Sequence, residues 1–377
     1  MLNCNIDTKH SKKHSKLLYV DPLSPNGHIN FNRIFIEALN LTFKTIHFAF
    51  RENYSKNLNV DNMQKVYSIP GKYYKKRKNK IATRFALFRI LQFIKNECNL
   101  NEYDYIIFAS YEEISLYLSF IKKPLILINH NNISGLDNKI KLFFFKKIAK
   151  NNVNIIFENY MKEFLETKGV KNTYVIHHGI PPAYNSNILE DSSLREQYEN
   201  IERYDNVIFC PSSSSVDKIF LNEIKSNQKF NKFLEINNIL LIIKDNTNVK
   251  KMNNIFVINN YLSDIQYQYL FLKSNFILIP YPKTFSYRVS SVLFEAIANR
   301  KMCLLSNIQA LNIYKKYFNY NPYFNDVDEL IIRIKINILE LNKKEYSPYN
   351  NITKLYPNIL FLDNNSLIPA TKKLKII

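Results

Sequence analysis

The sequence predicts an α/β protein built from two parallel, doubly wound sheets. Three observations carry that prediction. Apolar strand-like runs alternate with helix-period segments almost from end to end, a polar stretch containing Pro181-Pro182 and running to Tyr204 interrupts the alternation, and 377 residues exceed one ordinary core. Hydrophobic residues make up 46% of the chain and aromatics 14%, enough to bury two cores.

The elements follow in order. A basic tail, residues 1–16, lacks the apolar centre of a signal peptide. Short apolar runs at Leu17–Asp21, Thr45–Phe50, Tyr105–Ala109, Pro124–His130, Asn154–Phe157 and Thr173–His177 read as strands. Helical periodicity lies between several of them, at Phe31–Leu41, Glu112–Ile121, Asn138–Lys150 and Tyr160–Lys168. A second series has strands at Val207–Cys210, Ile239–Lys244, Ile255–Ile258, Phe276–Pro280 and Met302–Leu305. Its helices are at Asp217–Leu234, Ser263–Lys273, Ser290–Arg300 and Val327–Leu341. The expected domains are therefore 17–185 and 205–345, joined by a linker at 186–204. A C-terminal segment, 346–377, is expected to pack back on the N-terminal domain.

The net charge of +20 predicts attraction to anionic partners, without choosing among nucleotide sugars, acidic glycans, anionic lipid and, less expected, nucleic acid. Four scattered cysteines without C-x-x-C spacing suit a reduced, cytoplasmic protein, and no run approaches a membrane span. There is no Walker lysine loop and no Gly-x-Gly-x-x-Gly, so ATPase and dinucleotide chemistry lack their glycines. Asp326-Val-Asp328 opens a helix, where acidic side chains favour the dipole, and is read as a cap rather than a metal site.

The most telling segment runs from Phe285 to Ala298, between two strands. Ser290 or Ser291 caps a helix there, presenting free N–H groups and a positive dipole end to an anion above the sheet. Arg288 adds a charge suited to diphosphate, and Glu295, farther into the helix, suits ribose hydroxyls. In open α/β sheets ligands gather at the carboxyl ends of strands. Those ends add Ser212 and Ser213, Lys244, Tyr261 and Leu262, and Tyr287. Hydroxyls and cations without a carboxylate cluster suit a diphosphate and no metal.

This segment resembles the signature region of GT-B glycosyltransferases, especially the family-4-like retaining enzymes, in which two glutamates flank seven residues. Glu295 matches the second, the ribose ligand, whereas Tyr287 stands where the first, the contact to the donor sugar, is expected. The resemblance implies two Rossmann-like domains facing each other across a cleft. It also implies transfer of a sugar from a nucleotide-diphosphate donor to a glycan or lipid-linked acceptor, in bacterial surface-polysaccharide synthesis. It implies no cofactor, because the nucleotide sugar is a substrate.

It further places a loop with Gly27 near donor phosphates and acceptor, with His28 and Asn30 beside it. Gly27 is expected to supply that loop's backbone freedom. His130 matches a histidine beside the donor sugar, Tyr261-Leu262 the backbone contact to the base, and Gly179 the turn closing the first domain. Glu158, ending a strand, is an acceptor-side candidate. Adjacent His177 and His178 alternate faces and do not share a metal. Arg288, Lys244 and His130 form the expected catalytic set.

Lys72 to Lys80 is a basic run leading into an amphipathic helix to Ile94, and Lys139–Lys150 repeats the pattern. Either segment suits an anionic membrane on its cytoplasmic face or a core-packed helix. Three other readings stay open: a nucleotide-sugar epimerase of the same fold, a basic nucleic-acid-binding protein, and an inactive carbohydrate-binding scaffold. Nucleic acid is the less expected partner, because the basic cluster is local.

Overall fold

The computed structural model describes residues 13–58, 64–75, 77, 79–212, 216–245, 254–343 and 347–349. Most of the basic tail, Ser213 and the expected return of the C-terminal segment lie outside them. The chain divides into two compact units, one ending at Gly179 and the other beginning at Ile180.

The first unit holds seven strands: β1 (Lys13–Asp21), β2 (Phe43–Arg51), β3 (Lys65–Ile69), β4 (Tyr105–Phe108), β5 (Ile126–Ile128), β6 (Val153–Ile156) and β7 (Thr173–Val175). They form one parallel sheet in the order β3-β2-β1-β4-β5-β6-β7. Its connecting helices are α1 (Ile29–Thr42), α2 (Lys80–Glu97), α3 (Glu113–Leu118), α4 (Lys139–Ala149) and α5 (Asn159–Thr167). Central strands are apolar throughout, as a sheet covered on both faces requires; Leu17 to Val20 and Tyr105 to Phe108 are all buried. Edge strand β3 reads Lys-Val-Tyr-Ser-Ile and buries only Ile69, which is why no apolar run announces it. Inner residues of α2, α3 and α4, among them Ile90, Ile94, Leu116 and Ile148, share one apolar cluster with Leu18, Val20, Ile106 and Leu127 of the strands. These three helices therefore cover the same face of the sheet.

In the second unit, α6 (Ser192–Gln197) precedes β8 (Asn206–Cys210), α7 (Lys218–Ser226), α8 (Gln228–Ile236), β9 (Ile239–Lys244) and β10 (Ile255–Ile258). Then come α9 (Asp264–Lys273), β11 (Phe276–Ile279), α10 (Ser291–Ala298), β12 (Met302–Ser306), α11 (Gln309–Asn312), β13 (Tyr323–Phe324) and α12 (Val327–Leu341). The strand order is β10-β9-β8-β11-β12-β13, again all parallel.

Three details differ from expectation. The apolar period of 217–234 is split by Asn227, whose side chain accepts from the Phe230 amide and starts a second helix. The stretch 186–204 is not open chain but α6 between two 3-10 turns, started by Asp191 accepting from the Ser193 and Leu194 amides. Strand β5 stops at Ile128, two residues before His130.

All five glycines lie at or before Gly179, so helix ends of the second unit find other residues for their left-handed turn. Past α2, α3, α5, α8 and α10 that position is held by Asn99, Phe120, Gly169, Asn238 and Arg300. Asparagine tolerates it, glycine prefers it, and a phenylalanine is strained there.

Candidate functional site

Each sheet reverses its strand order beside its first strand, at β1/β4 and at β8/β11. Loops leaving those neighbours run to opposite faces, which opens the crevice where such sheets take ligands.

In the second unit, β11 runs into Tyr281 and a 3-10 turn, Lys283–Phe285, before α10. Ser290 caps the helix, its Oγ accepting from the Leu293 amide at 3.1 Å, while the Tyr281 hydroxyl lies 3.0 Å from the same oxygen. Ser291 is the first helical residue. The Arg288 guanidinium lies 5.3 Å from the Phe285 ring centroid, and that ring packs on Tyr281 at 4.1 Å. Aromatic support of this kind fixes a guanidinium that a surface loop would leave free to swing. Tyr287, between Ser286 and Arg288, is half-buried.

Glu295 is only 5% exposed. Its Oε2 accepts from the Tyr267 hydroxyl at 2.7 Å and the Tyr184 hydroxyl at 3.0 Å. Desolvation, with the Glu295 charge beside it, pushes the Tyr267 pKa far above the usual tyrosine value, so the phenol stays a donor. Asn299, which caps the end of α10, reinforces the arrangement by accepting from the Tyr184 amide at 2.8 Å.

The remaining cations sort by role. Lys244 Nζ donates to the carbonyls of Asn260 at 2.5 Å and Ile258 at 3.4 Å, tying the ends of β9 and β10 together. Desolvation lowers its pKa, with Asp245 opposing. Strand β8 separates β9 from β11 and the α10 loop. Lys218 was not singled out by sequence reasoning, yet it opens α7 at the β8/β11 reversal. The Asp217 amide before it donates to the Pro280 carbonyl at 2.7 Å. Its ammonium and that of Lys225 both meet the buried Asp245 carboxylate at 2.9 Å. Ser212 follows β8 on the same edge, while Tyr261 is exposed and Leu262 buried beyond β10.

In the first unit, the His130 ring stacks 4.4 Å from His28 and meets Phe31 edge-on at 4.3 Å and Phe157 at 5.0 Å. Burial, reinforced by His28 and His178, drives the His130 pKa well below the usual value, and its buried Nε2 has no hydrogen-bond partner among the described residues. His28 Nδ1 lies 3.5 Å from the fully buried Asp21 carboxylate. Burial raises the Asp21 pKa, but His28, Ser110 and Asn32 together bring it below the ordinary value. His178 is buried and His177 exposed, although β7 ends at Val175, before both of them and short of the expected His177. Burial pulls the His178 pKa down to about 4 against the Gly179 carbonyl and Glu158. Glu158 is buried at the end of β6, 3.5 Å from His177 Nδ1, and Asn30 is half-buried in the first turn of α1.

Gly27 does not supply the loop's turn. The left-handed residue is Ser24, with φ of 39°, held by its amide donating to Asp21 Oδ1 at 3.0 Å and by the Arg51 amide donating to its Oγ at 3.0 Å. Gly27 instead leaves open space, because a Cβ there would meet nothing within 4 Å.

No protein-family model matches the sequence, and neither does any curated protein. Solved structures match over nearly the whole chain. The Anabaena protein HepE in complex with UDP-glucose aligns over 96% of this chain and 99% of its own, with TM-score 0.61 and 13% identity. The fold is GT-B. UDP-N-acetylglucosamine 2-epimerase from Rickettsia bellii aligns over 96% and 98%, with TM-score 0.61 and 13% identity. The α,α-trehalose 6-phosphate synthase from Burkholderia multivorans aligns over 97% and 99%, with TM-score 0.58 and 9% identity. At these identities the likeness establishes two Rossmann-like domains and leaves chemistry to the residues.

Proposed function

We propose that this GT-B protein is a glycosyltransferase, moving a sugar from a nucleotide-diphosphate donor to a glycan or lipid-linked acceptor in bacterial surface-polysaccharide synthesis. One observation carries the reading. The capped start of α10, the ring-supported Arg288 and the tyrosine-held Glu295 lie in one segment beside the strand-order reversal, where a diphosphate and its ribose would find their ligands in the right sequence. The helix start and Arg288 stabilise charge building on the leaving diphosphate, so no metal is needed. Ser212 and Lys218 complete the phosphate edge. Lys244 joins it only by exchanging its carbonyl partners for phosphate. Tyr261 and Leu262 meet the base, and Glu295 the ribose.

In the first unit, neutral His130 orients the transferred sugar, the role the family resemblance gives it. Open space at Gly27 lets the donor approach, with His28, Asn30 and Glu158 toward the acceptor. Retention of configuration is the outcome proposed from the family resemblance, with Tyr287 in place of a carboxylate. The protein works at the cytoplasmic face of the membrane, where lipid-linked acceptors reside.

A thermal-shift screen against nucleoside diphosphates and their sugars tests the reading, since a ligand of the native state raises apparent stability. Silence across the panel rejects it. The epimerase of matching TM-score supports a second reading, epimerisation. Product formation without any acceptor selects it.

A further inference from the structure

The outward side of the α2–α3–α4 layer carries large apolar side chains. Ile81 is 79% exposed, Phe120 68%, Ile140 65%, Phe85 59% and Phe143 52%, with Tyr117 and Leu118 between them. The inner residues of the same helices fill one cluster against the sheet, so the exposed set lies on the side facing away from it. The helices are joined laterally. Ser115 Oγ donates to the Arg84 carbonyl and Gln92 Nε2 to the Ser119 carbonyl, each at 3.2 Å, linking α2 to α3. Tyr117 meets Phe144 edge-on at 5.4 Å, linking α3 to α4.

Cations are interleaved with this surface. Arg89, Lys122, Lys139, Lys146 and Lys147 are exposed on the same helices or just past them, while Arg84 is paired with Glu112 at 3.1 Å. The Arg89 guanidinium lies 6.0 Å from the Phe85 ring and the Lys147 ammonium 5.4 Å from the Phe143 ring. Phe120 is also strained: its φ of 52° is a conformation that a bulky side chain adopts reluctantly, and its ring gains no burial in return. Exposed apolar groups rimmed mostly by basic side chains mark an interaction surface.

We infer that this face docks on an anionic lipid bilayer, with Ile81, Phe85, Phe120, Ile140 and Phe143 entering the headgroup–acyl boundary while the lysines and arginines meet lipid phosphates. Charge complementarity selects this occupant. A second copy, docked face to face, would set one cation-rich surface against another. Nucleic acid could stack on Phe85, Phe120 and Phe143 but would leave the aliphatic Ile81, Leu118 and Ile140 in water, whereas an acyl boundary takes up both kinds. The inference extends the membrane part of the proposed function and is independent of its donor.

The test is co-sedimentation of the full chain with phosphatidylcholine vesicles, with and without phosphatidylglycerol. It is repeated with a combined Phe85→Ser, Phe120→Gly and Phe143→Ser variant. All three positions are exposed and glycine relieves the strain at residue 120, so the fold is kept, as an unchanged melting temperature verifies. The wild type is expected to bind only vesicles containing phosphatidylglycerol, to be released by salt, and to lose roughly tenfold or more of its partition in the variant. Nucleoside-diphosphate binding stays the same in both proteins, which separates failure here from failure of the donor assignment. Equal partition of wild type and variant, indifference to phosphatidylglycerol, or a wild-type dimer that the variant abolishes would each overturn the inference.

Discussion

The Tyr267 hydroxyl donates a 2.7 Å hydrogen bond to the Glu295 carboxylate, joining α9 to the buried face of α10. A buried carboxylate needs such donors, since an ionised group without them is costly away from water. Tyr267→Phe leaves Glu295 Oε2 the Tyr184 hydroxyl, at 3.0 Å. The expected loss is about 1–2 kcal/mol of stability, read by urea unfolding. Donor affinity should fall less than in Glu295→Gln. An unchanged unfolding midpoint would show that the pair holds nothing in place.

Acid should destabilise the first unit before its carboxylates titrate. Burial depresses the His130 pKa, and brings that of His178 to about 4, so both rings are neutral in the folded protein. The unfolded chain takes up protons first, near pH 6.5, so stability is full above that value and falls as pH drops toward the folded pKa. His178 alone accounts for about 3 kcal/mol by pH 4. Asp21 acts lower, because its depressed pKa costs stability only below about pH 4. Urea titrations across this window should show the slope, and His178→Phe should flatten it.

The two lysines on Asp245 should separate. Lys225 is nearly buried and Lys218 half-exposed, each 2.9 Å from the carboxylate. Lys225→Met leaves a buried charge short of a partner and should cost about 3 kcal/mol. Lys218→Met should cost under about 1 kcal/mol of stability, as a half-solvated pair does, and weaken nucleotide binding instead. The same stability loss from both would place Lys218 in the scaffold alone.

Where these features were legible in the sequence, they were local. Ser290 announces its cap because two serines precede an apolar period. Asp326 likewise caps α12, accepting from the Glu329 amide at 2.8 Å. The partners of Glu295 were not legible, since Tyr267 and Tyr184 stand 28 and 111 residues away and meet it only after folding. The Asp245 pairs are hidden for the same reason. Gly27 misled in the opposite way: its freedom is intrinsic, but hydrogen bonds to Asp21 and Arg51 decided that Ser24 takes the turn.

Metal dependence offers a further check. Cations and helix amides, rather than a bridging ion, are assigned to the diphosphate, so transfer or donor hydrolysis should persist in excess EDTA. Complete loss that a divalent ion restores would contradict that assignment.

The central claim is that the Tyr287–Glu295 segment holds the nucleotide-diphosphate donor. Calorimetric titration of the nucleoside diphosphate found in the screen, into wild type, Glu295→Gln and Arg288→Ala, combined with transfer rates, tests it most directly. Glu295→Gln keeps the shape and should weaken binding by about 1–3 kcal/mol. Arg288→Ala should reduce kcat more than affinity, because its charge matters most as the diphosphate departs. Wild-type affinity and wild-type turnover in both folded variants would contradict the claim and leave α10 an ordinary packing helix.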